Sequence, residues 1–226
     1  MSIAFNIQKI KEQLPASVQL VAVSKTHPPE AVMEAYNTGQ RIFGESKVQE
    51  LVDKQSVLPK DIKWHMIGHL QSNKVKDVVP FVDLIHSVDS YKLLSIIDKE
   101  AGKIQRTVNF LLQVHIADEI TKFGFTEEEL IELLKSDEFK TLLHIRICGL
   151  MGMATFTNDI QKVRNEFKNL KRIFDKIKAD YFIDTPDFKQ LSMGMSDDYP
   201  IAIEERSTLI RVGSAIFGTR YYNKDE

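Results

Sequence analysis

The stretch LIRVGSAIFG, residues 209–218, decides the architecture. Its opening Leu-Ile-Arg-Val reads as a strand, and Gly213 with Ser214 forms a small pair at its end. Only residues 219–226 follow, too few for the helix that comes after each strand in an alternating α/β chain. A closed parallel barrel still needs a helix over that last position. The N-terminus offers one, because Ile3, Ile7, Ile10 and Leu14 recur at helical spacing with polar residues between them. The expectation is a first helix that precedes strand one and covers the seam between the last and first strands.

Upstream, the pattern of strand 209–218 has seven counterparts. They are VQLVAVSK (18–25), RIFGES (41–46), IKWHMIG (62–68), LIHSVD (84–89), VNFLLQVHI (108–116), IRICGLMGM (145–153) and KQLSMGM (189–195). Several are apolar almost throughout, as parallel strands covered on both faces require. Amphipathic segments alternate with them. Pro28 and Pro29 open one helix and Gly39 ends it. Thr126 and Glu129 make a capping-box pattern before another, and Val163, Phe167, Leu170, Phe174 and Ile177 form the apolar stripe of a third. No linker or low-complexity tract interrupts the chain, so the expectation is one α/β domain over residues 1–226, a single (β/α)8 TIM barrel. An open doubly wound sheet is the competing architecture.

Composition narrows the function classes. The chain is 43% hydrophobic and 27% charged with a net charge of −2, and its two signs are interspersed, which gives no footprint for nucleic acid. No apolar run approaches the ~18–20 residues of a membrane span. The single cysteine, Cys148, has no internal partner and suits a reducing cytoplasm, where the chain is expected to reside.

In such a barrel the chemistry lies at the C-terminal ends of the strands. Strand one ends in Val23-Ser24-Lys25, and a lysine leaving an apolar strand there is partly desolvated, which favours the neutral, nucleophilic amine. Strand seven runs into Gly194-Met195-Ser196-Asp197-Asp198, where Ser196 is expected as an N-cap hydroxyl facing an anion. Strand eight carries Arg211, then Gly213 and Ser214. Loops after strands seven and eight often hold phosphate, and closure would bring them beside strand one.

The strings VAVSKTHPPEAV (21–32), RIFGESKVQE (41–50), WHMIGHLQSNK (64–74), LSMGMSDD (191–198) and IRVGSAIFG (210–218) resemble the pyridoxal 5′-phosphate (PLP) homeostasis protein family, also called proline synthetase co-transcribed homologues. The resemblance covers nearly the whole chain. It implies a barrel similar to the first domain of alanine racemase (PLP fold type III), without that enzyme's second domain. It further implies a Schiff base on Lys25, phosphate contacts from Ser196, Gly213 and Ser214, Met195 close to the cofactor, and Arg211 facing the pyridine nitrogen. Two positions depart from the family pattern: Ser46 stands where Asn is usual, and His69 where Pro is usual, which predicts a less rigid loop after strand three. The implied function is a PLP carrier or reservoir. The expected partners are PLP itself, PLP-dependent apo-enzymes and free amino acids, and the expected state is a monomer. A PLP enzyme such as a racemase is the alternative, and a cofactor-free Schiff-base aldolase is a third reading that gives Arg211 no role.

Other residues invite weaker readings. His65 and His69, four apart, lack the helix and the glutamate of a zinc motif, so no metal is expected, and His65 is expected to pack near the barrel mouth. His27 reads as an exposed loop residue. Lys74 and Lys122 read as solvated charges or as guides for phosphate, Asp197 and Asp198 as first-turn acids, and Met151, Met153, Met193 and Met195 as packing.

Overall fold

Strand β1 (Gln19–Val23) pairs in parallel with β2 (Ile42–Glu45) on one side and with β8 (Leu209–Val212) on the other. In the computed structural model, which describes residues 2–118 and 123–218, this seam closes a barrel with strand order β1 to β8. The remaining strands are β3 (Lys63–Met66), β4 (Leu84–Val88), β5 (Val108–Gln113), β6 (Ile145–Met151) and β7 (Gln190–Ser192). All eight sequence-expected strands are present and the open sheet is excluded. The expected strand eight ran too far, however, since Ser214–Phe217 is a short helix.

The helices, in chain order, are α1 (Ile3–Gln13), α2 (Pro29–Asn37), α3 (Val48–Val57), α4 (Val75–Val78) and α5 (Tyr91–Lys103). They continue as α6 (Glu127–Lys135), α7 (Asp137–Lys140), α8 (Ile160–Tyr181), α9 (Tyr199–Glu204) and α10 (Ser214–Phe217). Pro28 precedes α2, and the backbone of Gly39 just beyond its end has φ +86°, a left-handed conformation glycine adopts freely. Thr126 and Glu129 form the expected reciprocal capping box on α6. The five apolar residues expected on α8 are all buried.

Helix α1 occupies the position assigned to it. Ile7 and Ile10 are buried, Ile3 and Leu14 are partly so, and the Asn6 side-chain amide donates to the Ile216 carbonyl at 2.9 Å, joining α1 to α10.

Because side chains alternate across a strand, each strand divides its residues between the helical layer and the barrel interior. Leu20 and Ala22 belong to the large core under the helices, whereas Val21 packs inside with Leu84, Leu111, Met151 and Leu209. Two residues beyond Leu84 and Leu209, the same inward faces carry the buried polar side chains His86 and Arg211. Between β5 and β6 the register shifts as Phe110 pairs with Ile147 but Leu111 with Gly149, leaving Cys148 as the extra residue of a bulge. A Cβ on Gly149 would lie 1.8 Å from the Gln190 carbonyl oxygen, so only glycine fits there.

Candidate functional site

Three loops converge at the seam between β7, β8 and β1. After Val23 the chain continues through the buried Ser24, whose N–H donates to the Gly44 carbonyl at 3.1 Å, into a turn closed by His27 N–H donating to the Ser24 carbonyl at 3.1 Å. Lys25 sits half-buried in this turn, and the next residue, Thr26, has φ +68°. His27 is not the exposed loop residue expected: it is half-buried and stacks on Phe217 of α10, with ring centroids 5.1 Å apart.

The loops after β7 and β8 are tied by the Ser196 hydroxyl, which accepts from the N–H groups of Gly213 at 3.2 Å and Ala215 at 3.5 Å. Ser196 is therefore not the N-cap of its own helix; it engages the start of α10 instead. The residue preceding α9 is Asp198, whose carboxylate turns back to accept from Met195 N–H at 2.5 Å. Asp198 thus closes the loop that presents Ser196, and burial raises its carboxyl pKa, with the Met195 N–H and then Arg211 opposing that rise. Gly213 contacts the end of β1 directly. A Cβ there would meet the Val23 carbonyl oxygen at 3.1 Å and the Val23 Cβ at 3.3 Å, so its smallness lets β8 approach the strand that leads to Lys25. Ser214 and Met195 are exposed on the same rim.

Arg211 is buried in the interior, where its Nη1 donates to Ser192 Oγ at 2.5 Å and its Nη2 to the Gly152 carbonyl at 3.2 Å. The polarity of the chain that follows is set at its far end, where the Asp83 carboxylate, held ionised by His65, only accepts and so makes His65 the donor toward it. With His65 donating to Asp83, its Nδ1 accepts from His86, and His86 Nδ1 is left to accept the proton of the Ser192 hydroxyl, 2.9 Å away. Neutral His86 then carries its proton on Nε2 and donates to His65 Nδ1 at 2.9 Å. His65 in turn presents Nε2–H toward Asp83, 3.5 Å away at the N-terminal end of β4. Both imidazoles are held neutral by burial, which lowers the pKa of His65 and takes that of His86 well below the ordinary value. Burial also brings the Arg211 pKa down to about 10, so the guanidinium stays charged at neutral pH.

His65 therefore belongs to the interior and reaches away from the mouth, where it was expected. His69 stands apart from it, exposed beside Asp89 at 3.3 Å and against the Phe123 ring. Of the four methionines, Met151 and Met193 are buried, but Met153 and Met195 are exposed beside Phe156 along a cleft over β5 and β6. Lys74 is half-buried in the turn Ser72–Lys74, and Lys122 lies outside the described residues.

A buried charged group under the Lys25 turn was not legible beforehand. Glu45 of β2 accepts from the Ser24 hydroxyl at 2.6 Å, and Lys54 of α3 bridges Glu45 and Glu50. The only sequence signals were an acidic residue ending an apolar strand and a Glu50–Lys54 pair at helical spacing.

Residues 1–221 match the family described as "Alanine racemase, N-terminal domain". A pyridoxal phosphate homeostasis protein from Aquifex aeolicus is 38% identical over 205 residues, 90% of this chain and 88% of that protein. The chain belongs to the pyridoxal phosphate homeostasis protein family. Among solved structures, PipY of Synechococcus elongatus is 38% identical and covers 96% of this chain and 100% of its own, with TM-scores of 0.89 without PLP and 0.85 with PLP bound. Alanine racemase of Clostridium difficile aligns over 99% of this chain and 57% of its own with a TM-score of 0.74, at 18% identity, a likeness of fold.

Proposed function

We propose that this chain binds pyridoxal 5′-phosphate at the barrel mouth, as a Schiff base on Lys25, and serves intracellular PLP homeostasis as a carrier or reservoir, not as an enzyme. The observation that carries this reading is the buried Arg211 at the head of a donor-directed chain. Its two bonds do not use up the guanidinium donors, and a buried cation with donors to spare is matched by an acceptor such as an unprotonated ring nitrogen. The Ser196 hydroxyl, with the Gly213, Ser214 and Ala215 segment it ties down, supplies short side chains and N–H groups suited to a phosphate. Met195 lines the rim beside them. Relatives named for PLP homeostasis, and PipY with PLP bound, support the choice of ligand.

When bound, PLP supplies an aldehyde for Schiff-base exchange and a ring able to act as an electron sink. Arg211 bears on the second property. A permanent cation beside the ring nitrogen opposes its protonation, and electron withdrawal from Cα of an amino acid is weakened accordingly. The protein is then suited to hold the cofactor and pass it to PLP-dependent apo-enzymes or free amino acids, as a cytoplasmic monomer.

Borohydride reduction of the PLP-loaded protein followed by peptide mass spectrometry tests the assignment. The label is expected on Lys25, the visible absorbance is expected to vanish in Lys25→Ala, and wild type is expected to show no rapid Cα–H exchange with amino acids in deuterated water. A label on another lysine removes Lys25 from the site, and rapid exchange turns the reading toward a racemase-like enzyme.

A further inference from the structure

Among the described residues, one buried side-chain polar atom lacks a hydrogen-bond partner, and it is Oε2 of Glu45. Its other oxygen is crowded. Oε1 accepts from Ser24 Oγ at 2.6 Å and from Lys54 Nζ at 2.7 Å. The ammonium of Lys54, itself buried, also donates to the Ser24 carbonyl at 2.7 Å and to Glu50 Oε1 at 2.8 Å. An ammonium has three donors, and all of them are engaged here. Glu50 Oε1 accepts in addition from the Thr26 N–H at 2.6 Å.

These bonds share one target. The Ser24 carbonyl belongs to the peptide that precedes Lys25, and the Thr26 N–H belongs to the peptide that follows it. Both peptide planes flanking the Lys25 Cα are thus anchored to α3, one through an ammonium and the other through a carboxylate. The direction in which the Lys25 side chain leaves the backbone is fixed by those two planes. Thr26 is held at φ +68° in the same turn, a conformation that a β-branched residue adopts only when its surroundings impose it.

Packing alone does not account for the cluster. Burying a Lys–Glu pair costs several kcal/mol per ion before the mutual attraction is counted, and well-packed apolar residues serve stability as well or better. The compensation here is geometric, and it is concentrated on the backbone around residue 25.

We propose that Glu45, Glu50 and Lys54 form a clamp that positions Lys25 for Schiff-base formation. Lys54 is the central positioning residue, Glu45 fixes the Lys54 ammonium and the Ser24 hydroxyl from below, and Glu50 holds the second peptide. Burial pushes the Glu45 carboxyl up to about 7 against the opposing pull of Lys54, so the free Oε2 has room for a proton that would bring the cluster close to neutrality. The inference rests on Lys25 being the attachment site.

The experiment compares full-length wild type, Glu50→Ala, Glu50→Gln and Lys54→Met, each checked for folding by circular dichroism and melting. Val163→Ala, a core truncation in α8, serves as a comparator for general destabilisation. Two ligands separate positioning from pocket integrity. PLP reports Schiff-base formation by stopped-flow absorbance and borohydride trapping. Pyridoxine 5′-phosphate, which has no aldehyde, reports the phosphate and ring contacts alone. Schiff-base formation is expected to slow by about ten- to a hundred-fold in Glu50→Ala and Lys54→Met, the scale on which a displaced reacting group loses rate. Affinity for pyridoxine 5′-phosphate should stay near wild type, and Glu50→Gln, whose amide oxygen can still accept from Thr26, should recover most of the rate.

Equal Schiff-base rates in Glu50→Ala and wild type overturn the clamp, as do a parallel loss of pyridoxine 5′-phosphate affinity or the same slowing in Val163→Ala. If Lys54→Met does not fold, the two Glu50 variants decide. If the wild type itself traps nothing on Lys25, the proposed function falls and the clamp with it; a wild type labelled on Lys25 with unaffected variants removes the clamp alone.

Discussion

Gly213 shows how a residue can be identified from sequence while its physical reason is not. The resemblance placed it in a phosphate cradle, where a side chain would block the ligand's approach. The structure directs its missing Cβ at the Val23 carbonyl and side chain, back toward β1. A methyl group there needs a few tenths of an ångström from its neighbours, and a valine needs more. Gly213→Val is therefore expected to push apart the ends of β8 and β1, with an overpacking cost of about 1–3 kcal/mol. It should lower both the melting temperature and PLP affinity, and Gly213→Ala should do so by less. Thermal melts and PLP titrations of the two variants measure this, and a Gly213→Val protein that melts and binds like wild type would show that the gap closes without strain. Glu45 is the opposite case, a residue that sequence alone passed over. An acidic residue at a strand end is usually solvated, and nothing in FGES announces that Lys54, nine positions on, turns inward to meet it.

At the level of elements, legibility followed how much of a signal is local. Alternation of apolar runs with amphipathic segments gave all eight strands, because that pattern is written within each segment. The loops after β7 and β8 were read less well. Ser196 bonds to backbone groups 17 and 19 residues away, and Asp198 folds back on Met195, so the capping logic that works for an isolated helix failed. Helix α1 was legible because its apolar stripe had no other place to go. Burying Ile7 and Ile10 contributes roughly 1.5–3 kcal/mol each, and α1 also protects the α10 segment through Asn6 and Ile216. That sum is a large share of a typical net stability of about 5–15 kcal/mol. Deletion of residues 2–14 is accordingly expected to leave the protein insoluble or to lower its melting point sharply in a calorimetric scan. An unchanged transition would mean that the helix adds nothing to the closed barrel.

For the molecule as a whole, the buried titratable groups make stability depend on pH in separable windows. His65 and His86 are driven to the neutral form by burial, so their folded pKa values lie below the ordinary imidazole value of 6.5. Below that value the unfolded chain binds more protons than the folded one, and the stability these histidines confer at neutral pH is lost on acidification. Glu45 acts in the opposite direction. Its folded value of about 7 lies above the ordinary carboxyl value of 4.5, so its contribution is full below 4.5 and is lost as pH rises toward 7. Glu127, drawn down to about 2 by Arg172 and Lys176, contributes above 4.5 and loses that contribution only under stronger acid. Between 4.5 and 6.5 the two histidines thus oppose Glu45. The expectation is that lowering the pH from about 6.5 to 4.5 removes the histidine contribution while it restores that of Glu45. Chemical denaturation of the cofactor-free protein across this range tests it. His86→Gln, which removes the group whose pKa is lowered furthest, should flatten the acid slope. Glu45→Gln, which removes the opposing group, should steepen it. The two substitutions moving the slope in the same direction, or neither moving it, would contradict the assignment of opposing proton balances to the buried neutral histidines and a proton-retaining Glu45.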